Sequence, residues 1–232
     1  MDLVWEGLRK AVQMLIQGEP EVYQIAGLTL RLAGTSTLIS VLVGVPLGSL
    51  IALGSFPGRR LLATVMNVGM GLPPVVAGLW VTLLLWRSGP FGRWALLYTP
   101  AAIVIAQVLV ALPILASLTA SALQQLDPRL AMQVRALGAS RWQTHLVLLW
   151  EARLGILAAV IAGLGRVLAE VGASMMVGGN IRGETRILTT AMVLEVSRGQ
   201  FDVAIALSFI LMALAFVITG ALTWLQQRER QL

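Results

Sequence analysis

Two ionisable residues lie inside a long apolar run, where charges are rare. Arg166 and Glu170 are four positions apart in the stretch GRVLAEVGA. That spacing would place the guanidinium and the carboxylate on one face of a helix, where they can form an ion pair. An unpaired charge at the centre of a bilayer costs about 3 kcal/mol on insertion scales, so the two side chains are expected to pair and to face protein or water. Two roles stay open, a gate or pathway pair and a structural ion pair that fixes helix packing.

Hydrogen-bond donors follow this pair. The segment 178–186 combines backbone amides with Asn180, Arg182, Thr185 and Arg186. Such donors suit a tetrahedral oxyanion, which accepts charge-assisted hydrogen bonds. The alternative is an ordinary outer loop with solvated arginines. The residues predicted to line a pathway or gate are Arg166, Glu170, Ser174, Asn180, Thr185 and Thr189.

Several kinds of chemistry are excluded by what the sequence lacks. There is no cysteine, and His145 is the only histidine, so the chain alone can build neither a thiolate site nor a multi-histidine metal site. The sole lysine, Lys10, lies outside any glycine-rich loop, so there is no phosphate-binding G-x-x-x-x-G-K-[ST] motif. No G-x-S-x-G motif accompanies the histidine. We therefore predict no enzyme activity and no cofactor on this chain, and any nucleotide hydrolysis must occur on another subunit.

The composition is that of an integral membrane protein. Of the 232 residues, 57% are hydrophobic and only 12% are charged, against about 25% charged in soluble domains. The net charge of +6 comes from basic residues scattered among loops and helix ends. That distribution fits anionic lipid headgroups and argues against nucleic acid.

Five uncharged or nearly uncharged runs predict about five transmembrane helices. Their approximate bounds are 22–55, 61–86, 98–126, 154–177 and 203–225. The second run contains Gly71 and Pro73-Pro74, which predict a kink or break in mid-membrane, and Pro113 predicts a kink in the third. Before the first run, the pattern of residues 2–17 predicts an amphipathic helix in the membrane interface, whose apolar face carries Val4, Leu8, Ala11 and Leu15.

A polar segment, residues 127–156, separates the third and fourth runs. Asp127 can cap a helix that starts at Pro128, and Gly138 can end it in a left-handed conformation. A helix of about ten residues is only about 15 Å long, too short to cross a bilayer. Leu130, Val134 and Leu137 would share one face of it.

RALGASRWQT, at residues 135–144, and LLWEARLGI, at residues 148–156, resemble the cytoplasmic loop of ABC importer permeases. In that family the loop carries a short coupling helix that inserts into a groove of a separate ATPase. Met132, Gln133 and Val134 stand where the family has Glu-Ala-Ala, which puts in doubt the charge contact of the family glutamate but not the helix. A partnerless interfacial helix is the alternative. The residues that the resemblance assigns to ATPase coupling are Pro128, Leu130, Val134, Arg135, Leu137, Gly138, Ala139 and Ser140.

Residues 170–191 resemble the segment shared by molybdate and tungstate permeases. The matching motifs are Glu170-Val171-Gly172-Ala173, Gly179-Asn180-Ile181, Gly183 and Thr185-Arg186. The runs 175–180, MMVGGN, and 189–191, TTA, are similar to the tungstate branch. The resemblance implies an all-α polytopic fold of the type I ABC importer permease, with a segment 1–19 that carries the amphipathic helix and a permease domain 20–232.

The function that the resemblance implies is ATP-driven import of an oxyanion, with tungstate as the first candidate substrate. The alternatives are the same architecture importing molybdate or another anion, and an ATP-independent channel or carrier. The resemblance also implies two copies of an ABC ATPase that bind ATP and Mg²⁺, an extracytoplasmic oxyanion-binding protein, and a homodimer in the cytoplasmic membrane. In that arrangement the N-terminus is outside and the tail 226–232 is inside.

Overall fold

A computed structural model describes the backbone of residues 2–229 and the side chains of residues 4–228. Residues 230–232, the end of the predicted inner tail, lie outside the described part. Between residues 2 and 229 the chain forms helices and no strand. In chain order the helices are α1 (Asp2–Gln17), α2 (Pro20–Leu53), α3 (Arg59–Met70), α4 (Pro74–Leu85), α5 (Pro100–Gln124), α6 (Pro128–Ala136), α7 (Arg141–Glu151), α8 (Arg153–Leu168), α9 (Gly172–Gly178), α10 (Leu188–Ser197) and α11 (Phe201–Glu229).

Within the described residues, three helices are long and apolar enough to cross a membrane, namely Pro20–Leu53, Pro100–Gln124 and Phe201–Arg228. Two bent pairs, α3 with α4 and α7 with α8, raise the number of possible crossings to five. The prediction of an all-α polytopic protein with about five spans is therefore confirmed. We call the end of the bundle that carries α6 the coupling end, and the end where α2 and α11 begin the outer end.

The second predicted span is broken between α3 and α4, and the two helices meet at an angle of 111°. Pro73 and Pro74 explain the break, because a proline disfavours helical conformation in the residue before it and suits the first turn of the next helix. The sequence predicted a kink or break here, but the segment turns far more sharply than a kinked span. Helix α5 continues through Pro113, whose ring packs against Gly69.

The fourth predicted span, 154–177, is not one helix. Helix α8 ends at Leu168, and α9 starts a new helix at Gly172 after a short break. On its other side α8 adjoins α7 at a bend of 64°. The continuous helix expected from the apolar run is therefore wrong, and the break has a specific cause, given below.

The centre of the bundle is the contact between α2 and α5, which glycines bring close together. A Cβ on Gly48 would lie 2.5 Å from the carbonyl oxygen of Ala116 and 2.7 Å from Cβ of Thr119. A Cβ on Gly44 would lie 2.9 Å from Cβ of Leu115. Such short approaches allow the two backbones to pack directly, as small residues do in membrane helix pairs.

We expect Gly48→Val to destabilise the protein strongly, since the clash involves backbone and a β-branched side chain that cannot turn away. Overpacking of this kind costs about 1–3 kcal/mol or more. The melting temperature of the purified protein should fall well below that of a Gly34→Val control. Gly34 lies on the same helix, and a Cβ there would have nothing within 4 Å. Equal melting temperatures for the two variants would contradict the packing described.

Helix α1 packs against α11 through a different face from the one predicted. Gly7, Ala11 and Met14 are buried, and a Cβ on Gly7 would lie 2.3 Å from Ile205 Cγ2. Nζ of Lys10 lies 2.5 Å from a carboxylate oxygen of Asp202 at the start of α11. Val4 and Leu15, expected on the apolar face with Leu8 and Ala11, remain exposed. The predicted helix is confirmed, but the small residues set its contact, since they allow closer approach.

Candidate coupling surface and pathway site

Helix α6 has both ends fixed by local hydrogen bonds. The carboxylate of Asp127 accepts the N–H of Arg129 at 2.8 Å, which caps the first turn. Gly138 has φ of +88°. The N–H of Gly138 donates to Arg135 O, and the N–H of Ala139 donates to Val134 O, the pair of bonds that closes a Schellman motif. The predicted start and stop of this helix are confirmed.

The corner between α6 and α7 is rigid. Ser140 and Gln143 form a capping box, in which Gln143 N–H donates to Ser140 Oγ at 3.3 Å and Ser140 N–H donates to Gln143 Oε1 at 2.8 Å. Leu130 packs against the buried cluster of Leu123, Leu148 and Ala152. The corner therefore holds α6 at a fixed angle to the bundle.

Large apolar side chains are exposed on the side of α6 that faces away from the bundle and at the corner that follows it. Leu137 is 89% exposed, Met132 62% and Trp142 69%. Leu130 and Val134 are half-buried as expected, but Leu137 does not share their contact with the bundle, because the chain leaves the helical path there. Arg135 is exposed beside these residues. An exposed apolar group of this kind on a short, rigid helix marks an interaction surface.

Glu170 explains why α8 and α9 are separate helices. It is 2% exposed, and its carboxylate accepts the N–H of Ala173 at 2.5 Å, the N–H of Ser174 at 3.0 Å, and the hydroxyl of Ser174. It thus satisfies amides that the first turn of α9 would otherwise leave unpaired. The backbone carbonyl of Glu170 also accepts a hydrogen bond from the Thr189 hydroxyl at 3.0 Å. The break is held by the side chain and the backbone of the same residue.

The predicted ion pair of Arg166 with Glu170 is not formed. Arg166 lies in the last turn of α8 and is half-buried, whereas Glu170 lies beyond the helix end and is committed to α9. Within the part of the chain that the structure describes, Arg166 makes no ion pair. The i, i+4 spacing does not align the two residues, because the helix stops between them.

The other predicted pathway residues divide into two groups. Ser174 and Thr189 join Glu170 in the buried network at the break. Thr185 closes the loop after α9, accepting the N–H of Ile181 at 2.9 Å and donating to Gly178 O at 2.6 Å. Asn180, in the same loop, has φ of +52°, and its buried Oδ1 has no hydrogen-bond partner among the described residues.

Helix α4 packs directly on α9, so the two breaks lie against each other. A Cβ on Gly78 would be 2.7 Å from Ala173 Cα, and a Cβ on Gly172 would be 2.6 Å from Val75 Cγ2. Both helices begin at a break in the chain, at Pro74 and at Gly172. Irregular backbone at membrane depth is tolerated where protein or a water-filled cavity surrounds it. The paired breaks are therefore the part of the bundle best suited to line a pathway.

A cluster of charges at the outer end was missed by the sequence analysis. Glu21, in the first turn of α2, forms ion pairs with Arg182 and, at 3.1 Å, with Arg186. Just after this loop, the N–H of Leu188 at the start of α10 donates to the hydroxyl oxygen of Thr29 on α2 at 3.0 Å. Some 160 positions separate the partners, so no local pattern could pair them; the acidic residue in the first turn of a helix was the only signal.

Comparison with known proteins identifies the family. Residues 44–231 match the family described as binding-protein-dependent transport system inner membrane component. A tungstate uptake system permease protein from Peptoclostridium acidaminophilum is 35% identical over 98% of this chain and 100% of its own length. A probable anion ABC transporter permease protein from Haloferax volcanii is 38% identical over 84% and 87%, respectively. A molybdenum transport system permease protein from Escherichia coli (strain K12) is 29% identical over 94% and 98%.

A solved structure shares the fold at lower identity. A bacterial ABC transporter involved in the import of the acidic polysaccharide alginate contains a chain with a TM-score of 0.77 at 20% identity, covering 94% of this chain and 83% of that one. The helical bundle therefore shares its fold with a chain of a solved ABC transporter. The chain is a member of the family of binding-protein-dependent transport system inner membrane components, the permease subunits of ABC importers.

Proposed function

We propose that this chain is the permease of an ATP-driven importer of a tetrahedral oxyanion, with tungstate as the first candidate. The observation that carries the coupling part of the proposal is α6, which is capped at both ends and presents Met132 and Leu137 to solvent. A capped, uncovered helix of nine residues, with apolar side chains exposed on it and at the corner that follows, suits insertion into a groove of an ATPase. The substrate assignment is supported by the names of the relatives, of which one is a tungstate and one an anion permease.

The working unit would be a homodimer with two ATPase subunits at the coupling end and a binding protein at the outer end. The paired breaks at Pro74 and Gly172 would lie along the pathway, with Glu170, Ser174 and Thr189 holding its shape and Arg166, Asn180 and Thr185 beside it. ATP and Mg²⁺ would bind to the ATPase, whose closure would move α6 and, through the rigid corner at Ser140, the membrane helices.

Uptake by the reconstituted transporter tests this function. Proteoliposomes would contain the chain and the ATPase that co-purifies with it, and receive binding protein loaded with tungstate, molybdate or sulfate. Accumulated metal or sulfur would be measured by mass spectrometry with and without ATP. ATP-dependent tungstate uptake supports the proposal. Uptake that needs no ATP, or no uptake of any of the three anions, would contradict it.

Molybdate is the second candidate, because a molybdenum permease aligns with nearly the whole chain. The same assay separates the two. Competition by molybdate at equal concentration should leave tungstate uptake largely unchanged if the tungstate assignment is right. Preferential accumulation of molybdate would instead identify molybdate as the substrate.

The chain purified alone should neither bind nor hydrolyse ATP, since its sequence has no phosphate-binding loop. Calorimetric titration with ATP should give no binding heat, and phosphate release should equal that of a protein-free control. Adding the ATPase should restore hydrolysis. Activity in a preparation shown by mass spectrometry to be free of the ATPase would refute this division of labour.

A further inference from the structure

Arg31, which is exposed on α2, is a cation without a counter-ion among the described residues. Its carbonyl oxygen accepts the Thr35 hydroxyl, but its guanidinium makes no hydrogen bond or ion pair with the part of the chain that the structure describes. The uncharged run that follows it, residues 32–53, is about 33 Å long as a helix, enough to cross the hydrocarbon core. Arg31 therefore lies at the outer boundary of that run, in reach of the aqueous phase.

Arg31 lines a cavity of about 290 Å³ between α2 and the loop that precedes α10. Gln24 and Gly27 contribute from α2, and Gly183 and Arg186 contribute from the loop. A water molecule occupies about 30 Å³ in the liquid, so the volume admits a tetrahedral oxyanion together with several waters.

The loop side of the cavity is fixed and offers further donors. The N–H groups of Glu184, Thr185 and Arg186 all bind the carbonyl oxygen of Ile181, at 3.0–3.2 Å. Gly183, with φ of +80°, keeps its N–H free of any acceptor among the described residues. One terminal nitrogen of Arg186 donates to Glu21, but its buried Nε has no hydrogen-bond partner among the residues that the structure describes.

The local charge balance favours an anion without holding it tightly. The cavity and its surroundings carry three arginines and two glutamates, so the net charge is +1; these residues are Arg31, Arg182, Arg186, Glu21 and Glu184. Glu184 is on the cavity wall and opposes anion binding. Guanidinium groups bind tetrahedral oxyanions through paired, charge-assisted hydrogen bonds, and a nearby carboxylate would keep the affinity low enough for release.

We propose that Arg31 and Arg186 form a transfer site for the transported oxyanion at the outer mouth of the permease. The inference rests on the proposed function and adds to it a place where the anion, once released by the binding protein, first contacts this chain. A phospholipid phosphate has the same chemistry and occurs at the same level of the membrane, so the experiment must separate the two sources.

The test uses the purified permease–ATPase complex in detergent, titrated with sodium tungstate at ionic strength held constant with sodium chloride. Melting temperature is the readout. We expect a saturable rise for the wild type, and a loss of about tenfold or more in apparent affinity for Arg31→Gln, as expected when one charge-assisted hydrogen bond is removed. Glu184→Gln should increase the affinity, because it removes the opposing charge. Arg93→Gln is the matched control, since Arg93 stacks on Trp94 in another outer loop and should leave the affinity unchanged.

Three results would overturn the proposal. They are wild-type affinity in Arg31→Gln, an equal response to chloride alone, and, in the same titration, binding of short-chain phosphatidylglycerol that depends on Arg31 and that excess tungstate does not displace, which would assign the cavity to a lipid phosphate. Failure of the proposed function looks different, because the wild-type transporter would then accumulate no oxyanion, whatever the cavity binds. Arg31 is on the helix surface, so equal melting temperatures without anion will show that the variant is folded.

Discussion

Replacing Gly138 with valine should abolish the stimulation of ATP hydrolysis by the loaded binding protein in the assembled transporter. Gly138 closes the Schellman motif of α6 at φ of +88°, a conformation that costs an L residue about 1–2 kcal/mol and a β-branched residue more. A Cβ there would touch nothing within 4 Å, so the whole effect comes from the backbone conformation. The helix would end differently, and Met132 and Leu137 would no longer face the ATPase as a fixed pair.

Gly58→Val is a matched control for that experiment. Gly58 also has φ of +88°, also lacks neighbours within 4 Å of a Cβ, and lies between α2 and α3 at the same end of the bundle. Both variants should insert into the membrane and lose similar stability, but only Gly138→Val should lose stimulated hydrolysis. Full stimulation with Gly138→Val, or an equal loss in both variants, would show that α6 does not dock the ATPase in the way proposed.

The coupling helix could be read from the sequence because its ends are determined locally. Asp127 caps the helix through the N–H two positions later, and the C-terminus is closed by Gly138 N–H, which donates to the carbonyl three positions back, and by Ala139 N–H, which donates to the carbonyl five positions back. The break at Pro73-Pro74 is likewise determined by neighbouring residues in the sequence, and its position was predicted. Its angle of 111° was not, because α4 takes its direction from contact with α9, nearly a hundred residues later.

The end of α8 could not be predicted from the spacing of neighbouring residues in the sequence. Spacings of three and four residues place a glutamate either beside an arginine one turn earlier or beside the amides of the next helix. Arg166 lies four positions before Glu170, and Ser174 lies four positions after it. The choice is fixed in part by Thr189, whose hydroxyl donates to the carbonyl oxygen of Glu170 from 19 positions further along the chain, beyond the reach of any helical spacing. The outer ion pairs of Glu21 were unreadable for the same reason.

We expect Glu170→Gln to lower both the stability of the protein and its oxyanion uptake severely. The two carboxylate oxygens accept three hydrogen bonds, one on Oε1 and two on Oε2. A carboxamide has a single oxygen, and its nitrogen would face buried donors, each of which costs about 1–3 kcal/mol when unpaired. The first turn of α9 would then lose the hydrogen bonds that fix its position. The contact of Ala173 with Gly78, which holds the two chain breaks against each other, would be lost as a result.

Two further variants show whether that loss comes from the cap of α9 or from an ion pair. Ser174→Ala removes only the hydroxyl donor and leaves its N–H in place, so it should cost about 1 kcal/mol and retain much of the uptake. Arg166→Met should be additive with Glu170→Gln in a double-mutant cycle, because the described side chains of the two residues form neither an ion pair nor a hydrogen bond with each other. A double variant more stable than Glu170→Gln alone would instead reveal an uncompensated charge on Arg166, as expected if the two residues were paired. Melting temperature and uptake, measured on the wild type and on these four variants, decide between a carboxylate that starts a helix and one that neutralises an arginine.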